Sequence, residues 1–126
     1  MAKEILIVDD EPGIVIPIQF LMAQQGYSVI DAENGEDALD IIHKYEPDLV
    51  LMDIMLPGID GYQVCEIVRL DPKYRNIKMI LLTARGREVE IAKGMVLGAD
   101  TYITKPISSA EVVEKVKELL IELNDT

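Results

Sequence analysis

Asp53 ends the apolar run Leu49-Val50-Leu51-Met52 and is followed at once by the loop Ile54-Met55-Leu56-Pro57-Gly58. A carboxylate at the C-terminal end of a buried strand lies where open α/β sheets place their ligands. It has company. Asp9 and Asp10 follow Ile5-Leu6-Ile7-Val8, Thr83 follows Met79-Ile80-Leu81-Leu82, and Lys105 follows Thr101-Tyr102-Ile103-Thr104. Four strand ends thus bring three acids, a hydroxyl and an ammonium to one sheet edge. Carboxylates crowded into one crevice repel each other, so their pKa values rise or a cation joins them. Hard oxygen ligands with room for water suit Mg²⁺. A carboxylate so placed can attack a phosphoryl group and form an aspartyl phosphate. Lys105 then offers a point charge, and Thr83 a hydroxyl donor, to the phosphoryl oxygens.

The elements that must position these groups follow from the alternation of short apolar runs with amphipathic segments, the pattern of βαβ units around a parallel sheet. Five strands are expected at 4–8, 27–32, 49–53, 78–83 and 100–104. Strands 1, 3 and 4 are nearly all Ile, Leu, Val and Met, as strands covered on both faces should be. Helix 1 starts at Pro12 and stops at Gly26, and Pro17 inside it predicts a distortion near Gly13. Its inner face is expected to carry Ile14, Ile18, Leu21 and Gln25, with Ile16 pointing away and Val15 and Phe20 beside it. Helix 2 follows Asn34-Gly35 and buries Ala38, Leu39 and Ile42. Helix 3 starts near Asp60-Gly61 and turns Val64, Ile67 and Val68 inward, and Cys65 packs there as a small apolar residue. Helix 4 spans 88–97. Helix 5 opens on Ser108-Ser109-Ala110-Glu111, which has capping-box spacing, and its stripe is Val112, Val116, Leu119, Leu120 and Leu123. The polar residues Asn124-Asp125-Thr126 close the chain, and His43 is expected on the solvent face of helix 2. If the strand order is 2-1-3-4-5, the loops after strands 1, 3 and 4 line one crevice.

The 126 residues suit one domain, 1–126, with 49% hydrophobic and 28% charged residues. A net charge of −11 argues against direct nucleic-acid binding and against anionic membrane surfaces. No apolar run approaches the ~20 residues of a spanning helix, and the N-terminus does not read as a signal peptide. The single cysteine makes no internal disulfide. The expectation is a cytoplasmic protein.

Taken together, Asp9-Asp10-Glu11-Pro12, Asp53 with Met55-Leu56-Pro57-Gly58-Ile59-Asp60-Gly61, Thr83-Ala84, Gly98-Ala99-Asp100 and Lys105-Pro106 carry a resemblance. Over essentially its whole length the sequence resembles a bacterial two-component response-regulator receiver domain of the chemotaxis-regulator kind. The resemblance implies a flavodoxin-like (βα)5 fold with a doubly wound parallel sheet of order 2-1-3-4-5. It implies that Asp53 takes a phosphoryl group from a phosphohistidine on a sensor histidine kinase or phosphotransfer protein. Asp10, Asp53 and the backbone carbonyl of Met55, with Asp9 through water, would bind Mg²⁺. Thr83 and Lys105 would contact the phosphoryl group, the Lys105-Pro106 bond would be cis, and Tyr102 matches the switch aromatic. The output face would be helix 4, strand 5 and helix 5, facing an unknown downstream protein target and available for a phosphorylation-dependent homodimer.

On helix 1, Ile16 and Phe20 stand where such sequences carry charges, so together with Pro106 and Ile107 they form a candidate docking surface for the kinase. Ile107 departs from the phenylalanine often found after Lys-Pro. Met55 and Arg85 sit where loop side chains could shield a phosphoryl group from water. Three other functions compete with this one. A Mg²⁺-dependent phosphohydrolase with an aspartyl nucleophile wants a second acid two residues on, where this chain has Met55. A flavin module wants a phosphate cradle where Asp9-Asp10-Glu11 would repel the flavin phosphate. A receiver-like domain that no longer takes phosphate would not need the intact acid, hydroxyl and lysine set.

Overall fold

Five parallel strands, β1 (Glu4–Val8), β2 (Ser28–Ala32), β3 (Leu49–Asp53), β4 (Lys78–Ala84) and β5 (Thr101–Lys105), form one sheet of order β2-β1-β3-β4-β5. The computed structural model describes residues 2–84 and 87–121. Arg85, Leu123 and the 124–126 end therefore lie outside the described residues. Strands 2, 4 and 5 differ by a residue from the expected limits, and strand 4 carries Thr83 one position inside its end.

Alternation along each strand splits the core in two. Leu6, Val8, Val50, Met52, Met79 and Leu81 face α2 (Gly35–Tyr45) and α3 (Gly61–Leu70). Ile5, Ile7, Leu49, Leu51, Ile80, Leu82 and Ile103 face α1 (Pro12–Gln24) and α5 (Ser109–Ile121). All of these strand residues are at most 1% exposed. Burial on both faces leaves the strand ends as the place for polar groups.

Local chemistry sets the helix boundaries. Asp60 and Gln63 close a reciprocal capping box on α3. Asn34 accepts from the Asp37 amide at the start of α2. On α5 the Ser108 hydroxyl accepts from the Glu111 amide at 3.3 Å, one half of the expected box. α4 (Glu88–Val96) has one fully buried residue, Gly94, and a Cβ there would collide with Leu81. Among the described residues no helix is long and apolar enough to cross a membrane.

Two expectations need correction. The inner face of α1 is Val15, Ile18 and Met22, with Ile14 and Leu21 half-buried beside them, so Val15 points inward and Gln25 is exposed. Ile67 is 43% exposed; Tyr62, Val64, Cys65 and Val68 fill the inner face of α3 instead. Helix α1 continues through Pro17 as expected, the amide that Pro17 lacks being one that would have served only the Gly13 carbonyl, in the exposed first turn. His43 is exposed as expected, but its Nδ1 lies 2.6 Å from the Tyr74 hydroxyl, a contact the sequence did not suggest.

Candidate functional site

The ends of β1, β3, β4 and β5 converge at one edge of the sheet. Asp53 is the last residue of β3, and its neighbours in register on β4 and β5 place Thr83 and Lys105 in the next layers of the same edge. Asp9 follows β1 and donates its amide to the Ala32 carbonyl of β2, which fixes the turn beyond. Asp9, Asp53 and Thr83 are 1%, 6% and 2% exposed, the buried polar residues among the described core. Asp10 lies exposed at the mouth.

One ammonium ties the edge together. Lys105 Nζ is 3.2 Å from Asp53 Oδ2, 3.2 Å from Asp9 Oδ2 and 3.3 Å from Glu11 Oε1. The other carboxylate oxygens accept from backbone: Asp53 Oδ1 from the Met55 amide at 3.1 Å, Asp9 Oδ1 from the Glu11 amide at 2.9 Å. Among the described residues the ion pair with Lys105 is the contact that meets the buried Asp9 Oδ2. The Lys105-Pro106 bond is cis.

Burial pushes the Asp53 carboxyl above the ordinary carboxylate range, and the charge of Asp9 adds to the rise; the Met55 amide and Lys105 pull the other way without cancelling it. Burial alone would lower the Lys105 ammonium, but Asp53 and Asp9 outweigh that and hold it above its usual value. The lysine therefore stays charged, and the acids beside it remain short of positive charge.

A cleft of about 230 Å³ opens on Asp53, with Thr83, Met55 and Lys105 on its walls. The Met55 side chain is 72% exposed at the rim. Among the described residues the Thr83 hydroxyl is held only by a long 3.4 Å contact to the Ala84 carbonyl, which a better acceptor could replace. Tyr102 is 36% exposed on β5; Lys115 sits 4.9 Å above its ring and donates to its carbonyl at 2.6 Å. Asp9, Asp10, Glu11 and Asp53 each present an oxygen within 4.8 Å of the others. An all-oxygen cluster whose buried carboxylate oxygens share a single ammonium fits a hard divalent cation such as Mg²⁺.

The structure thus gathers Asp9, Asp10, Asp53, Thr83 and Lys105, as the strand ends suggested. Ile16 and Phe20 stand apart on the outer face of α1, 62% and 57% exposed. Pro106 is exposed, whereas Ile107 is half-buried against the α1–α5 core and offers less to a partner than expected. Glu11 was missed: beside Pro12 it reads as a helix-capping position, yet its side chain reaches Lys105.

Residues 5–117 match the family model of the response regulator receiver domain. The chain belongs to that family. A candidate response regulator from Chloroflexus aurantiacus is 36% identical, with a TM-score of 0.93 over 97% of this chain and 100% of that one. The signal receiver domain of a signal transduction histidine kinase from Syntrophus aciditrophicus is 33% identical, with a TM-score of 0.90 over 99% of this chain and 95% of that one. The receiver domain of a Pseudomonas aeruginosa sensor histidine kinase, solved with magnesium in its active-site cleft, is 28% identical, with a TM-score of 0.85 over 94% and 98%. Receiver domains are the phosphoacceptor modules of two-component systems and work as signalling switches. By sequence and fold this chain is one of them.

Proposed function

We propose that Asp53 is the phosphoacceptor of this receiver domain. The observation that carries this reading is a buried carboxylate at the end of β3, 3.2 Å from a lysine it shares with a second buried acid. A carboxylate oxygen of Asp53 attacks phosphorus, the P–N bond of a donor phosphohistidine breaks, and the imidazole nitrogen keeps the electron pair. The product is a mixed anhydride on Asp53.

Asp10 and Asp53, with the Met55 carbonyl and Asp9 through water, are the groups that would hold Mg²⁺, whose charge offsets repulsion between the acids and the incoming phosphoryl oxygens. Lys105, already charged and facing Asp53, turns to a phosphoryl oxygen. Thr83 exchanges its weak 3.4 Å contact for a charge-assisted bond to another. Two such bonds at roughly 1.5–3 kcal/mol each approach the ~5.5 kcal/mol that carries a 1:99 equilibrium to 99:1. Space vacated by Thr83 lets Tyr102 turn inward, and the α4–β5–α5 face, where Val89 and Val96 are 84% and 85% exposed, changes shape. That face would meet the downstream protein, or a second phosphorylated copy.

The phosphodonor is a sensor histidine kinase or phosphotransfer protein, seated on Ile16, Phe20 and Pro106. Aspartyl-nucleophile phosphohydrolase chemistry lacks its leaving-group acid, because the position two residues after Asp53 is the thioether of Met55. Loss of the phosphoryl group to water is therefore slow. Acetyl phosphate with Mg²⁺ should label the wild-type protein at one phosphoryl group per chain, and Asp53→Asn should remove the label. Undiminished labelling of that variant would refute the assignment.

A further inference from the structure

The acceptor cleft has a second cation on its walls. Beside Asp53, Thr83 and Lys105 it is lined by Glu11, Arg87 and Glu90. Arg87 directly precedes α4, and its guanidinium lies 3.4 Å from the Glu90 carboxylate, three residues along the chain. The arginine side of this pair is exposed, and such contacts contribute little to stability. Nor does the arginine side chain cap the helix it precedes. The start of α4 therefore does not depend on where this guanidinium points.

Phosphorylation changes the charge on these walls. The described residues lining the cleft include three acids, Glu11, Asp53 and Glu90, against two cations, Lys105 and Arg87. The transferred group turns the Asp53 carboxylate into a mixed anhydride, which removes one negative charge, and brings roughly two. Lys105 is already divided among Asp53, Asp9 and Glu11. Arg87 has a single carboxylate partner among the described residues, at the long end of ion-pair distances. Its planar fork of donors matches two oxygens of a phosphoryl group, a stronger acceptor than one carboxylate. We propose that Arg87 is a further ligand of the phosphoryl group on Asp53, and that Glu90 is the competing anion that holds it in the unphosphorylated chain. This rests on Asp53 being the acceptor. The exchange of partners ties the residue at the head of α4 to the acceptor, by a route separate from Thr83 and Tyr102.

Beryllium fluoride with Mg²⁺ serves as the phosphoryl probe, its binding to the full chain read by fluorine NMR. Arg87→Ala should weaken binding roughly tenfold. Arg87→Lys, which keeps the charge but loses the fork, should weaken it less. Glu90→Gln should tighten binding several-fold, and that gain should vanish in the Arg87→Ala background. Both single changes break the same ion pair, so a purely structural pair would move them in one direction, whereas a competitor and a ligand move apart. Urea midpoints equal to that of the wild type show that each variant is folded. Wild-type affinity in Arg87→Ala overturns the proposal, as does weaker binding by Glu90→Gln, or the same gain from Glu90→Gln with and without the arginine. If the wild type neither binds beryllium fluoride nor takes label from acetyl phosphate, the assignment of Asp53 fails instead.

Discussion

The two edges of the sheet each hold a cation against carboxylate, and they are built in opposite ways. At the edge where β4 and β5 begin, Arg69 donates to the Gly98 carbonyl at 2.8 Å and to Asp100 Oδ2 at 2.9 Å, and reaches the Tyr74 and Arg75 carbonyls at 3.4 and 3.3 Å. Asp100 Oδ2 also accepts from the Met79 amide at 2.8 Å. Every charged group there has directed partners. At the opposite edge one ammonium is divided among three carboxylates at 3.2–3.3 Å, and the buried Asp9 Oδ2 has only its share of that charge among the described residues. A satisfied cluster holds the fold, and an unsatisfied one is poised to bind charge.

Breaking the satisfied edge should have the largest effect on stability. Arg69→Ala leaves Asp100 and the Gly98 carbonyl short of partners, at a cost of roughly 2–3 kcal/mol. Urea denaturation should report that loss, while acetyl phosphate still labels the folded fraction. A midpoint equal to the wild type would erase the contrast between the edges. Cys65 sharpens it next. Its thiol is buried beside this edge, 3.6 Å from the Leu97 carbonyl, and burial pushes its pKa up from the ordinary thiol value to about 11. An acid whose folded pKa is raised gives stability that is complete below the unfolded value and is lost as pH rises through the folded one. Against Cys65→Ala, the wild type should therefore lose roughly 2 kcal/mol of relative stability between pH 9 and pH 11. A constant difference across that range would contradict the assignment.

The smallest expected effect lies at the unsatisfied edge. Asp53→Asn removes a buried charge that its neighbours only partly compensate, so in metal-free buffer the thermal midpoint should rise by roughly 2–5 °C. A fall of several degrees would mean that Asp53 is held as firmly as Asp100. Removal of a functional group and gain of stability would go together, as at other strained sites.

Much of this was legible in the residues. Uninterrupted apolar runs in β1, β3 and β4 announce strands covered on both faces, and a polar residue closing such a run has only the sheet edge to occupy. That logic found Asp9, Asp53, Thr83 and Lys105. It failed on α1, where Ile14-Val15-Ile16-Pro17-Ile18 is apolar nearly all round and the helical period carries little contrast, so Val15 was turned the wrong way. Ile67 was misplaced because it was chosen for its hydrophobicity, whereas the buried Gly61, Val64, Cys65 and Val68 recur at i, i+3, i+4 and i+7 and leave Ile67 off that face. Glu11 and the His43–Tyr74 contact are long-range pairings, 94 and 31 residues apart, set by how helices meet strand ends and each other. No local pattern encodes them.

The glycine beneath α4 has a mechanical consequence. With Gly94 as its one fully buried residue, α4 meets β4 over a smooth patch rather than through an interlocked side chain. The Tyr62 hydroxyl, bonded to the Glu90 carbonyl at 2.9 Å, acts as a tether rather than a peg. Sliding or tilting this helix sacrifices little van der Waals contact, so its amides should exchange with deuterium sooner than those of α1 or α5. The segment nearest the acceptor loop is thereby the one the molecule can most readily rearrange.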